Sequence, residues 1–323
     1  MSLGVIFALL GALSFGMNGA TVRRGVAQAP ASQGLYITIF VGWVMFVIAA
    51  LLSGQLFEAG DFTARNYLLL AAGGIVHIMA GRYCNYRAVA AMGANRAGPV
   101  IGTSTLAAVI IAVVWLDEVI TPLKAVGILL VMVGPALVAR RRRRQARVAA
   151  PAPAAVPAGA SPDAPLAAAR VRGASVVDDP RLKEGYFFGV MGALFWGAGP
   201  VLMRAGLGDS GLGVFGGVVT YGAAGLVLML SLAIPGQLAG AVALDRSSRM
   251  WFLASAGNSF FANLFRMSAL ALAPVSVVVP LMRISTLAQM GFNFIFNRRL
   301  ESYERRVLAG IAVSLVGATL LVL

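Results

Sequence analysis

Four ionisable side chains lie inside long apolar segments of this chain, where such groups are rare. Arg82, Arg266, Arg283 and His77 lie in these segments, whereas none of the 12 Asp and Glu residues does. A guanidinium stays protonated when it is buried, so each arginine needs a partner. A carboxylate or a phosphate can accept two parallel hydrogen bonds from it. The pattern therefore indicates a binding site for an organic anion.

An internal repeat in the sequence relates the positions of two of these arginines to each other. Residues 4–25 recur 181 positions later with the same glycine spacing. At this offset Arg266 falls on Asn85, and Arg82 falls on Asn263. Each of the two segments then carries an Arg and an Asn three residues apart, which share one face of a helix. We expect both faces to line one cavity between the halves.

Arg283 has no counterpart in the repeat, but it follows Pro280 by three residues. Proline removes a backbone hydrogen bond from a helix, and a broken helix at mid-membrane is a frequent feature of transporter sites. Arg283 is therefore expected to line the substrate path. His77, the one histidine of the chain, could relay protons because its ordinary pKa is near neutrality, or it could bond a neighbouring helix.

We expect all the candidate residues to contact the substrate. The candidate substrate-binding residues are Arg283, Arg82, Arg266, Asn85, Asn263, His77 and Tyr86. Other roles stay open for them. Arg82 and Arg266 could extend to the membrane interface, the asparagines could join neighbouring helices, and Tyr86 could serve ordinary packing.

The apolar composition predicts the helices that hold these residues. Hydrophobic residues make up 59% of the chain, charged residues make up 12%, and the mean hydropathy is +0.85. A soluble domain has far more charge. The apolar stretches have the length that crosses a bilayer as a helix. We predict an all-α integral membrane protein with ten transmembrane helices, near residues 2–20, 34–53, 67–90, 94–115, 122–139, 185–204, 212–234, 250–272, 274–296 and 305–323.

The repeat divides the chain into two halves. Each copy holds five apolar segments, and an odd number of crossings inverts the second copy relative to the first. We predict a first five-helix repeat at 1–139, an Arg-rich then Pro/Ala-rich hydrophilic linker at 140–184, and a second five-helix repeat at 185–323. Inverted five-helix repeats are an architecture that secondary transporters use to alternate access to one site.

The basic residues are distributed unevenly among the connections between consecutive segments. Only Arg65, Lys124 and Arg204 lie in even-numbered connections, whereas the odd-numbered ones, with the Arg140–Arg144 run, hold most of the 26 Lys and Arg residues. This asymmetry predicts a cytoplasmic linker and both termini outside. The net charge of +14 is then explained by basic residues that contact the lipid bilayer. No nucleic-acid partner is therefore expected.

Four motif stretches carry a family resemblance. They are Ser14-Phe15-Gly16 with Phe195-Trp196-Gly197, ALALAPVSVVVPLMRISTL at 269–287, WLDEVITP at 115–122 with RRLESYE at 298–304, and VGILLVMVG at 126–134 with AGIAVSLVG at 309–317. In this order they resemble the EamA-type ten-helix members of the drug/metabolite transporter (DMT) superfamily. The resemblance covers nearly the whole chain except the linker. It implies a solute transporter of the inner (plasma) membrane with a central cavity lined by both halves.

The resemblance also bears on orientation and on two acidic residues. Members of this family generally have both termini in the cytoplasm, which is the reverse of the orientation that the charges favour. Glu118 and Glu301 correspond to each other after a two-residue slip of the repeat and match the family's acidic position. We expect both to make helix-end contacts or salt bridges.

These observations together predict a secondary transporter that exports or exchanges a small organic metabolite, anionic or zwitterionic, by alternating access around a central cavity. A flippase for an anionic lipid-linked substrate and a structural membrane protein without transport are the alternatives. The segments hold no catalytic set, so neither an enzyme nor a cofactor nor a metal is expected. The expected partners are the small-molecule substrate and the lipid bilayer, and the protein is expected to be a monomer or a homodimer.

Overall fold

The structure is a computed structural model, and it describes residues 2–25, 31–92, 97, 100–133, 181–232, 246–296, 312–313, 316–317 and 319–321. All regular secondary structure within these residues is helical, which confirms the all-α prediction for this part of the chain. Residues 140–180 of the predicted linker, Glu301 and most of the tenth predicted helix lie outside the described residues.

The helices follow the predicted apolar segments. In chain order they are α1 (Leu3–Gly25), α2 (Ala31–Leu52), α3 (Ala64–Gly74), a π-helical turn (Ile75–Ala80), α4 (Gly81–Met92), α5 (Ser104–Leu116), α6 (Pro122–Val133), α7 (Leu182–Leu207), α8 (Gly213–Leu232), α9 (Arg246–Leu272), α10 (Val275–Met282) and α11 (Ser285–Phe296).

Several of these helices have the length and the apolar surface of membrane spans. Ala64–Asn85, Leu182–Leu207 and Gly213–Ser231 are long and apolar enough to cross a membrane. Shorter apolar helices lie at Leu3–Asn18, Tyr36–Leu52, Val100–Leu116, Pro122–Val133 and Val275–Gln289. Large apolar side chains are exposed along them, as a lipid-facing surface requires. The number of ten spans stays a prediction.

The first helix of each half packs against the other half through a glycine. A Cβ atom added at Gly16 would lie 2.6 Å from the Cβ of Ala288, and one added at Gly197 would lie 2.7 Å from the Cβ of Ala107. The two contacts correspond, because Ala288 and Gly197 lie 181 positions after Ala107 and Gly16. Small residues allow helices in a membrane to approach this closely.

Two helices are interrupted at matching positions. Between α10 and α11 the chain turns at Arg283 and Ile284, and before α5 it turns at Thr103. Ser285, which opens α11, lies 181 positions after Ser104, which opens α5. The Arg283 N–H donates to the Pro280 carbonyl at 2.9 Å, a three-residue bond that tightens the last turn of a helix. The predicted break therefore lies at Arg283 itself.

Candidate functional site

A buried Arg–His pair joins the two halves at the centre of the predicted site. His77 lies in the π-helical turn between α3 and α4, and Arg266 lies in α9. Nη1 of Arg266 is 2.6 Å from Nε2 of His77. The Arg266 residue is only 5% exposed. Single-turn π-helical segments are frequent at functional sites because they change the direction of a side chain.

The contact defines the protonation state of His77 in this arrangement. A guanidinium can donate hydrogen bonds but cannot accept them, so Arg266 is the donor and Nε2 of His77 is the acceptor. An imidazole that accepts at Nε2 is neutral and carries its proton at Nδ1. Protonation of Nε2 would place two donors against each other and break the contact.

Helices α1 and α7 supply the surroundings of this pair. The Phe15 ring lies 5.9 Å from Cζ of Arg266, within the range of a cation–π contact. Nε1 of Trp196 donates to the His77 carbonyl at 3.1 Å. A Cβ at Gly199 would lie 2.6 Å from Nδ1 of His77, so this glycine makes room for the imidazole. Phe15 and Trp196 are 181 positions apart, so matching aromatic residues of the two halves reach the same pair.

The pair retains unused hydrogen-bonding capacity. Nε and Nη2 of Arg266 and Nδ1 of His77 are buried and have no hydrogen-bond partner among the described residues. Arg82, five residues after His77 and at the start of α4, adds a second positive charge to this region. Within the described part of the chain, no carboxylate forms an ion pair with either arginine. A buried guanidinium without an anion is costly, and these donors are suited to a carboxylate or a phosphate.

Arg283 lies at the break between α10 and α11, where its guanidinium crosses to the other half. Nε donates to the hydroxyl of Thr105, and Nη2 donates to the hydroxyl of Ser104. Both hydroxyl residues lie in the first turn of α5. Arg283 therefore already has neutral partners here, whereas Arg266 retains unsatisfied donors.

The remaining residues of the predicted site have different surroundings. Asn85 lies against α7, because a Cβ at Gly192 would be 3.5 Å from its backbone nitrogen. Asn263 is buried and donates to the Ser259 carbonyl of its own helix at 2.7 Å. The structure thus brings His77 and Arg266 into contact and gives Asn263 a partner within α9. The side chain of Tyr86 lies outside the described residues.

Sequence reasoning overlooked two parts of the site. The buried Tyr221 of α8 shares a core cluster with Ile78, the residue after His77, and packs on Phe46 at 5.0 Å between ring centroids, and nothing in its sequence context marks it. The Arg283 partners Ser104 and Thr105 had a signal, because the same pair recurs as Ser285 and Thr286 in the repeat.

A second polar region is formed by residues in and next to the even-numbered connections between the predicted apolar segments. We call this region the loop-2 face. A cavity of about 460 Å³ lies there, lined by Thr63, Arg65, Asn66, Leu116, Glu118, Arg204, Ala205, Gly208, Asp209 and Pro274. Glu118 accepts hydrogen bonds from the backbone N–H groups of Val275 at 2.7 Å and Ser276 at 2.8 Å. The predicted helix-end contact of Glu118 is confirmed. The described residues contain no group of three His, Cys, Asp or Glu side chains suited to a metal ion.

Comparisons with known proteins agree with this architecture. One solved crystal structure is similar over 100% of this chain and 99% of its own, with a TM-score of 0.67 at 15% sequence identity, a likeness that shows the fold alone. No curated protein matches the chain. Residues 2–140 match the family described as the EamA-like transporter family. This match covers somewhat less than half of the chain, and it supports a membrane transporter of the drug/metabolite transporter superfamily.

Proposed function

We propose that this protein is a secondary transporter that exports or exchanges a small anionic or zwitterionic organic metabolite by alternating access between its two halves. The observation that carries the proposal is the buried Arg266–His77 pair with its three unpartnered nitrogen atoms. Arg266, His77 and Arg82 form the anion-binding centre, and Arg283 lines the path to it.

The energetics of the pair support an anionic ligand. Removing a charged group's partner inside a protein costs about 3–5 kcal/mol, and among the described residues the partners of Arg266 are a neutral imidazole and an aromatic face. Arg82, five residues after His77, adds a second positive charge to this region. A bound carboxylate would accept from the free donors of Arg266 and offset both positive charges, so the site is suited to an anion and poorly suited to a cation.

The matching contacts of the halves support alternating access by an inverted repeat. We assign residues 1–139 to one repeat, residues 185–323 to the other, and residues 140–184 to the linker. The packing of Gly16 on Ala288 and of Gly197 on Ala107 is what such a repeat would produce. Ten transmembrane helices and a location in the inner (plasma) membrane, with the Arg140–Arg144 end of the linker in the cytoplasm, belong to the same proposal.

A ligand screen on the purified protein tests the anionic substrate class. Thermal unfolding would be followed in detergent with panels of carboxylates, phosphate esters, amino acids, amines and neutral sugars. A ligand that binds the folded state raises its stability, by about 2.7 kcal/mol at 100 times its dissociation constant. We expect carboxylates, phosphate esters or amino acids to raise the melting temperature, and the hits to be transported into proteoliposomes.

Two variants separate the site from general charge effects. Arg266→Gln is expected to abolish the ligand-induced shift. Arg87→Gln removes the same charge from an exposed ion pair with Glu184 and is expected to leave the shift unchanged. Stabilisation by amines or neutral sugars alone, or an unaltered shift in Arg266→Gln, would contradict the anion-binding site.

A further inference from the structure

Helices α5 and α10, one from each half, are tied to each other at both ends. At one end the Arg283 guanidinium, just after α10, donates to Ser104 and Thr105 at the start of α5. At the other end the Glu118 carboxylate, just after α5, accepts from the Val275 and Ser276 N–H groups at the start of α10. The two helices thus form an antiparallel pair with a charged group at each end.

The chain is shaped locally to aim Glu118 at α10. Asp117, which ends α5, has a positive φ of 53°, the left-handed conformation common at helix C-termini. This turn directs the next residue across the interface between the halves. Glu118 then reaches two N–H groups that no residue of α10 itself can satisfy, and its negative charge faces the positive end of the α10 dipole. Charge-assisted bonds of this kind are the stronger class of hydrogen bond.

The Glu118 contact lies at the cavity of the loop-2 face. Glu118 and Pro274, the residue before α10, both line that cavity. Arg283 lies at the opposite end of α10, about 12 Å away for eight residues of helix. The joint between α5 and α10 therefore extends from this cavity to Arg283.

We propose that Glu118 is a latch that holds the loop-2 face closed, and that α5 and α10 separate at this contact during the transport cycle. The proposal rests on the proposed function, because only alternating access requires the halves to part at this face. It assigns Glu118 a positioning role, with no contact to the substrate. Loss of the carboxylate shifts the protein towards a state in which the start of α10 is open to water.

A single cysteine at the start of α10 reports on this opening. Ser276→Cys would be made in a Cys84→Ala background, since Cys84 is the one native cysteine, and reacted with fluorescein maleimide in detergent. Ser276 is 3% exposed, so labelling of the latched protein is slow. Glu118→Ala is expected to increase the labelling rate at least tenfold. Glu118→Gln, which retains one acceptor oxygen, is expected to give a smaller increase.

Two controls separate the latch from general loosening. Asp117→Asn alters the neighbouring exposed acid and is expected to leave the rate unchanged. Ser255→Cys reports from the first half of α9, 21 residues before Ser276, where Ser255 is fully buried and donates to Asn18; its labelling is expected to stay slow in Glu118→Ala. An unchanged rate at the Ser276→Cys reporter, or equal increases at both reporters, would overturn the latch. No substrate is used, so this result is independent of the anion screen.

Discussion

Replacing Gly16 or Gly197 by alanine perturbs the packing of each half's first helix on the other half. At Gly197 the new Cβ would lie 2.7 Å from the Cβ of Ala107 and 2.8 Å from the Ala108 nitrogen. Carbon atoms pack at about 3.5–4.0 Å, so the helices would have to separate by roughly 1 Å. Overpacking of this kind costs about 1–3 kcal/mol, and alanine recovers about 1 kcal/mol of helix propensity.

The expected net effect at either glycine is a loss of up to about 2 kcal/mol, which is the overpacking cost less the gain in helix propensity. Gly257 is a matched control within α9, since a Cβ there meets no atom within 4 Å. Gly257→Ala provides the gain in helix propensity without a steric clash, and we expect it to raise stability by up to about 1 kcal/mol.

Thermal unfolding of the purified variants in one detergent would measure these changes. Gly16→Ala and Gly197→Ala are expected to lower the melting temperature by similar amounts, because their contacts correspond in the repeat. Gly257→Ala is expected to raise it. Shifts of the same sign and size at Gly16 and Gly257, or a large effect at only one of the two repeat glycines, would refute this account of the interface.

Two further substitutions test how helix ends are satisfied at the loop-2 face. Gln55→Ala is expected to lower stability by about 1 kcal/mol, because Oε1 of Gln55 accepts from the Val214 and Phe215 N–H groups at the start of α8. Gln55→Glu retains that acceptor and should lose less in the same denaturation assay. Asp117→Gly is expected to raise the melting temperature, by about 0.5–1 kcal/mol of stability, because glycine adopts a φ of 53° without strain; a lower melting temperature would contradict this.

Much of the fold could be predicted because its signals are local or periodic. Apolar length predicts a helix that can cross a membrane, whatever its neighbours are. Pro280 predicted a break in this segment, and the break lies three residues later at Arg283, with Pro280 itself inside α10. The matching glycines predicted corresponding helices, and the contacts of Gly16 and Gly197 agree with that correspondence.

The partners of the site residues could not be predicted in the same way. By residue type Arg82, Arg266 and Arg283 were alike, as cations in apolar segments without an acid, and the sequence set Arg283 apart only by its distance of three residues from Pro280. In the structure Arg283 is bonded to two hydroxyls, whereas Arg266 is bonded to an imidazole and retains free donors. The difference arises from residues 178 to 189 positions away in the chain.

The sequence by itself determined the helical class, the repeat and the presence of uncompensated positive charge within it, because these depend on residue type and spacing alone. Only the tertiary structure decided that, among the described residues, the Arg283 guanidinium has two hydroxyl partners whereas Arg266 retains donors without a partner. It also decided that Glu118 closes α5 onto α10. Hydrogen bonds act over about 3 Å, so their formation depends on how two helices from different halves are set against each other.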